Sequence, residues 1–329
     1  MNGTPRNLIL ARKALKQGNW LRAVDLLKTE LARRPECFEC AADLAGIYMD
    51  LHHFDLAEQV IDDAFAEGHM DAPETVCPVT PQQRELYRIK ANLRLTLGDP
   101  RGALSLYTLL LAEHPDDPCL LYQVGLAYHK LGHHEMSIAY MDRAVSAHPD
   151  HLPAQEIKGQ ILMAMGRLND ALEVYMEISL GHPGNVNAYA MMGHLYHHLG
   201  RPVAAVSAWE RAVSLAPKAD EPLRRLACAA LREGNAAKAR DLLTRAVTAN
   251  PNNVLAHLDL ADLLVQAGET RAALAHWDEA ERLAPRHPRL EQVKPHRDDI
   301  TLQVISGCGP TGLDLQRLLD DTGQEPASS

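Results

Sequence analysis

Pro115, Pro149, Pro183, Pro217, Pro251 and Pro285 stand 34 residues apart, and a period of that length restricts the chain to a stack of equivalent supersecondary units. Small residues keep the same phase at Ala11, Ala45, Ala91, Gly125, Gly159, Gly193, Ala227 and Ala261. A second set follows at Ala23, Ala57, Ala103, Ser137, Ala171, Ala205, Ala239 and Ala273. Between the two sets sit Gly18, Gly98, Gly132, Gly166, Gly200, Gly234 and Gly268. Glycine ends a helix in the left-handed conformation without a steric cost. Proline cannot continue a helix. Small residues let two helices approach closely. Each unit therefore reads helix A, glycine turn, helix B, proline-marked turn.

The sixth unit, with Tyr189, Met192, Gly193, Tyr196, Ala205, Trp209 and Pro217, resembles the tetratricopeptide repeat, and so does the fourth, with Val124, Gly125, Tyr128, Ser137, Met141 and Pro149. That family's pattern is W-x2-L-G-x2-Y, then A-x3-F, then P. The resemblance covers most of the chain and implies a soluble scaffold of the bacterial type. Its fold would be all-α, a right-handed superhelical solenoid of about eight helix-turn-helix repeats with a C-terminal cap. The units fall at about 4–37, 38–71, 84–117, 118–151, 152–185, 186–219, 220–253 and 254–287. Length alone would suggest two globular domains, but a repeat is stabilised by nearest-neighbour contacts and makes one elongated body.

No apolar run is long enough to span a bilayer. Met1 to Lys16 lacks a signal-peptide pattern, because Arg12, Lys13 and Lys16 interrupt it. Six cysteines without regular pairing argue against a disulfide scaffold, and the expected location is cytoplasmic. Net charge is −10, unevenly spread. Between Arg34 and Arg84 there is no lysine or arginine, and the stretch holds eleven acids, from Glu36 to Glu74. A block of one sign steers partners of the other, so the 36–74 region is expected to contact a basic segment of a protein partner, or else to be a solvated face. Nucleic-acid binding is not expected, since phosphate contacts need clustered lysine and arginine.

The repeat breaks in two places. Unit two carries His52 in place of the turn glycine and His69 in place of proline, followed by twelve extra residues. The proline-rich extension 70–81 predicts a loop or short helix, and insertions of this kind often lie on the binding face. At the other end, Pro295 is expected to stop a ninth helix A early, and residues 287–321 read as the cap of the solenoid. The alternative places the amphipathic stretch Leu313–Leu319 in the groove as a self-ligand. Residues 322–329 are expected to be disordered.

In the family, helix A residues line the concave face. By phase, the exposed helix-A positions include Glu85, Arg88, Asn92, Tyr122, Gln123, His129, Glu156, Gln160, Asn187, His194, His197, Arg224, Arg225, Cys228 and Arg232. The expected peptide-binding set is Arg88, Asn92, Tyr122, Gln123, His129, Gln160, Asn187, His194, His197, Arg224 and Arg225. Leu126, Met163 and Met191 are expected to pack on the next helix A. Side-chain amides can hydrogen-bond an extended or helical peptide, and methionines adapt to apolar anchors. Arg88, Asn92 and Gln123 resemble part of the family's carboxylate clamp, but Pro153 and Ile157 occupy its remaining basic positions. The asparagine-ladder column reads Ile9, Asp43, Ile89, Gln123, Ile157, Met191, Arg225 and Asp259, which is no ladder.

His194, His197 and His198 lie within one helical turn, a spacing that can share a metal, yet no HExxH pattern or carboxylate accompanies them. Cys37 and Cys40 form a CxxC with no second pair to complete a zinc site. There is no nucleophile elbow, phosphate loop or dinucleotide fingerprint. The sequence therefore reads as a non-catalytic, cofactor-free protein-interaction scaffold, adaptor-like or chaperone-like, binding a peptide or helix in its groove. Two alternatives stand beside it: a self-associating, homo-oligomeric assembly scaffold, and a metal- or redox-responsive regulator.

Overall fold

The computed structural model describes residues 5–67 and 80–306. Among them there are helices and turns only, in the order α1 (Arg6–Lys16), α2 (Trp20–Arg33), α3 (Phe38–Asp50), α4 (Phe54–Glu67), α5 (Pro81–Thr96), α6 (Pro100–Glu113), α7 (Pro118–Lys130), α8 (His134–Ala147) and α9 (Leu152–Ala164). Then follow α10 (Leu168–Gly181), α11 (Val186–His198), α12 (Pro202–Leu215), α13 (Asp220–Arg232), α14 (Ala236–Ala249), α15 (Val254–Gln266), α16 (Thr270–Leu283) and α17 (Pro288–Ser306). The helices form two compact units that divide between Arg167 and Leu168, so that α9 ends the first and α10 opens the second. Within each unit, consecutive helices pack as antiparallel neighbours. This is a tetratricopeptide-type helical solenoid fold.

The boundaries follow from local chemistry. Asn19, Asp99, Asp117, Asn185, Asn235 and Asn253 each accept a first-turn backbone N–H through the side chain, which satisfies a donor that the helix itself cannot. Proline opens α5, α6, α7 and α12, where its missing N–H costs nothing. At the other ends, Arg34, His114, His148, Ala216, Asn250 and Ala284 sit at φ between −131° and −143° and ψ between 76° and 95°. Each precedes a proline, whose ring pushes the preceding residue out of the α region. The 34-residue ladder is thus a row of helix-B stops.

The A-to-B turns need a left-handed residue, and the seven phased glycines there have φ between 70° and 84°. In the second repeat His52 takes the same conformation, at φ 59°, so the turn is kept without its glycine. Among the described residues no other non-glycine residue has positive φ.

Both small-residue columns are buried, and every member of the second is fully so. Gly193 shows why. A Cβ there would lie 2.2 Å from Trp209 Nε1 and 2.3 Å from its Cδ1, so the indole of α12 rests directly on the backbone of α11. At the equivalent Gly125 a Cβ would meet the flexible Met141 methyl at 2.8 Å, and the buried Ser137 Oγ donates to the Gly125 carbonyl at 2.7 Å.

One expectation changes. Pro295 does not stop a helix: α17 runs through it to Ser306. Proline removes one intrahelical hydrogen bond, but Pro295 is exposed, where water can serve the freed carbonyl. The helix is held on both sides of it. Leu290, Val293 and Ile300 are buried in the core of α11–α16, and Arg297 donates to Asp278 at 2.6 Å and to Glu281 at 2.7 Å on α16. Of the extension 70–81, only Thr80 and Pro81 are described; they open α5, with the Thr80 amide donating to Gln83 Oε1 at 2.9 Å. His69, Leu313–Leu319 and the tail 322–329 lie outside the described residues.

Candidate functional site

In the first unit, α5, α7 and α9 present the expected helix-A residues. Arg88 is half-buried and donates through Nε to Glu85 Oε2 at 3.0 Å, and that hydrogen bond raises its pKa, ahead of the opposing cost of burial. Asn92 Oδ1 accepts from the Tyr107 hydroxyl, which leaves the Asn92 NH2 to donate elsewhere. Tyr107 itself is pushed up by burial. Tyr122 packs on His151 with ring centroids 5.2 Å apart, and burial raises its hydroxyl. Gln123 is half-buried and Gln160 exposed. His129 lies 5.4 Å from the His134 ring and is pushed down by burial and then by His134. This face offers amides and a guanidinium around an aromatic platform.

In the second unit, α11 carries Asn187, His194 and His197. His194 meets Trp209 edge-on at 5.9 Å, and His197 lies tilted over the same indole at 6.0 Å. Burial, reinforced by Arg225, pushes His194 down to about 4, and burial also lowers His197. Met191 is half-buried, as are Leu126 and Met163 in the first unit.

Arg224 departs from expectation. Its side chain is 6% exposed and lies within the protein. Nε and Nη2 donate to Glu221 at 2.9 and 2.8 Å, and Nη1 donates to Asp259 Oδ2 at 3.0 Å. From α17, Arg289 donates to Asp259 Oδ1 at 2.5 Å and to Asp262 Oδ2 at 2.6 Å. Cys228 Sγ lies 3.8 Å from Asp259 Oδ2. A buried charge is stable only when paired and hydrogen-bonded, and this network pairs Arg224 on both sides. Arg224 is therefore a structural residue joining α13 to α15, not a peptide contact. Arg225 remains on the face, donating to Glu221 Oε1 at 2.8 Å. Burial works against the charge on Glu221, but Arg224 and then Arg225 hold its pKa at about 2. Burial, and next Asp259, pushes Cys228 up to about 12, which leaves it an inert thiol.

The network was hidden from sequence reasoning. Asp259 and Asp262 sit on a helix that is otherwise apolar, and a charged pair inside an apolar helix with arginines near one repeat away was the available signal. Among the described residues no three histidine, cysteine or acidic side chains converge on a metal position. Cys37 is the N-cap of α3 and Cys40 is buried one turn later. Hydrogen bonding from Cys40 lowers Cys37 to about 7, and Cys40 is pushed up in turn, so Cys37 is the more reactive of the two.

Family models described as tetratricopeptide repeat match residues 14–74, 90–151, 186–218 and 230–294. The chain belongs to the tetratricopeptide repeat family. Among curated proteins it is similar to the BBSome complex member BBS4 of Bos taurus, 22% identical over 279 residues, which is 85% of this chain and 51% of that protein. The chain therefore spans about half of that relative's length. Among solved structures, yeast Tom70 aligns with a TM-score of 0.58 and 16% identity, covering 87% of this chain and 59% of that one. A tetratricopeptide repeat protein from Parabacteroides merdae aligns with a TM-score of 0.54 and 16% identity, covering 79% of this chain and 97% of that one. These likenesses show the fold alone.

The helix-A histidines give a pH dependence with a definite sign. An unfolded histidine titrates near about 6.5, and folded His194 titrates at about 4. The unfolded chain therefore takes up the proton first. The stability that neutral His194 contributes is complete above about 6.5 and is lost as pH falls from there toward about 4. His129, His197, His276 and His287 are lowered in the same direction. Urea midpoints measured across this range should fall with pH, and His194→Gln should flatten part of the slope.

Proposed function

We propose that this tetratricopeptide protein is a non-catalytic interaction scaffold whose helix-A faces take a peptide or helix from a protein partner. The fold is one that serves protein–protein interaction in general. The observation that carries the finer reading is the first-unit face. Gln123 and Gln160 keep side-chain amides with no protein partner among the described residues. They belong to the same series of A helices as Arg88, the NH2 of Asn92 and the Tyr122–His151 platform, with Arg88 in phase with Tyr122 and Asn92 in phase with Gln160. Amides on successive A helices suit the backbone of an extended ligand, and the ring pair suits an apolar anchor. In the second unit Asn187, His194, His197 and Arg225 provide a comparable face.

A cytoplasmic setting suits Cys37, Cys40, Cys119 and Cys228, which are free thiols among the described residues, and no described helix is long and apolar enough to cross a membrane. The test is selection from a displayed peptide library with the full chain as bait. Enriched peptides should bind Arg88→Ala and Gln123→Ala proteins at least about tenfold more weakly, which corresponds to about 1.4 kcal/mol. Both side chains are outside the core, so thermal unfolding should not change. Enrichment that is indifferent to both substitutions would overturn the assignment.

A further inference from the structure

The outer faces of the first two repeats carry opposite charge. Eight basic and two acidic residues precede Pro35, and after Arg34 no lysine or arginine occurs before Arg84. The boundary falls between two equivalent helices. On α2, Arg22, Lys28 and Arg33 are exposed, with Asp25 the lone exposed acid; on α4, Asp55, Asp62 and Asp63 are exposed with no base. Lys90 takes up Asp62 at 3.0 Å. Arg22, Lys28, Asp55 and Asp63 have no ion-pair partner among the described residues.

Exposed apolar residues stand on the same two helices. Among the described residues, Trp20 and Leu21 on α2 and Leu56 on α4 are exposed large apolar side chains. Leu21 on α2 is 82% exposed and Leu56 on α4 is 43% exposed. Between the two helices lies a cavity of about 300 Å³ lined by Leu31, Pro35, Val60, Asp63, Ala64 and Ala66.

Positive beside negative on one molecule is self-complementary under a twofold rotation. Equivalent helices of successive repeats run in the same direction. An axis lying between them and along them therefore lays α2 of one copy parallel on α4 of the other, and the contact is repeated by symmetry. Equivalent positions on the two helices lie 34 residues apart, so in that arrangement Arg22 meets the Asp55 end of α4, Lys28 meets its Asp63 end, and Leu21 lies against Leu56. We propose that the outer face of the first two repeats is a self-recognition surface whose partner is a second copy of this chain. The proposal rests on reading the acidic repeat as a docking surface, and it names what docks there.

The test is sedimentation of the full chain over a range of micromolar concentrations. The mass should rise from 36.3 kDa toward twice that value, and high salt should weaken the dimer at least about tenfold. A chain carrying Arg22→Glu with Lys28→Glu should remain monomeric, as should a chain carrying Asp55→Lys with Asp63→Lys. An equimolar mixture of the two should dimerise, because each reversed face then meets its complement. Circular dichroism checks that these exposed substitutions leave the helices intact. A wild-type chain that is monomeric throughout, or a dimer that neither double variant weakens, overturns the proposal. Titration with a fluorescent oligolysine peptide separates the two layers. If the monomer binds that peptide and Asp55→Lys with Asp63→Lys abolishes binding, the acidic face docks basic partners and the self-pairing alone has failed.

Discussion

Asp259→Ala should cost the second unit roughly 3–5 kcal/mol, the range seen when one partner is removed from a buried ion pair. Asp259 accepts from Arg224 at 3.0 Å and from Arg289 at 2.5 Å, and burial of both guanidiniums opposes their charge. Without the carboxylate, Arg224 keeps Glu221 and Arg289 keeps Asp262, but each loses its most buried partner. Arg289→Met should be nearly as damaging, since it strands Asp262, whose pKa burial already raises. Because Arg289 ties α17 to α15, hydrogen exchange in α17 should quicken first. Replacing Asp259, Asp262, Arg224 and Arg289 together by apolar residues should recover much of the loss, as the buried charges are then gone and Glu221 keeps Arg225. Urea unfolding of the single, double and quadruple variants gives the coupling directly. An Asp259→Ala loss below about 1 kcal/mol would show that the network is hydrated and contributes little.

Gly193→Ala should destabilise the same unit by roughly 2–3 kcal/mol, the usual scale of overpacking. Helix propensity alone favours the change by about 1 kcal/mol, so the sign is informative. The added methyl would stand 2.2 Å from Trp209 Nε1, and a buried indole has no flexible end to withdraw. Gly125→Ala is the control, because there the nearest opposing atom is the Met141 methyl at 2.8 Å, with the Ser137 carbonyl oxygen farther off at 3.3 Å; its cost should be smaller, about 1 kcal/mol, since methionine repacks easily. Gly193→Ala with Trp209→Leu should be more stable than the sum of the two single changes, by the relief of the clash. Denaturation of the four proteins checks both claims, and a neutral Gly193→Ala would mean that α11 and α12 can slide apart.

The periodic features were legible because they are local. Proline dictates the conformation of the residue before it, so the 34-residue ladder located the helix-B ends. The small columns located the close contacts, since an added methyl would collide with Trp209 at Gly193 and displace Met141 at Gly125. What escaped was set by distant partners. Arg224 has the spacing of a groove residue, and only Asp259, one repeat on, takes it inside. Pro295 should have ended a helix on its own chemistry, but Val293, Arg297 and Ile300 supply the packing that carries α17 past it. Of the peptide-contact candidates, Tyr122, Gln123 and Arg225 could be placed by phase, whereas their engagements with His151 and Glu221 depend on loops and pairings that phase does not encode.

The three tryptophans divide the molecule optically. Trp20 is 42% exposed in the first unit, whereas Trp209 and Trp277 are 3% and 1% exposed in the second. Intrinsic emission should therefore hold a red-shifted, readily quenched component from one unit and a blue, shielded component from the other. Wavelength-resolved melting can then report whether the two halves of the chain come apart together or in turn, with no label attached.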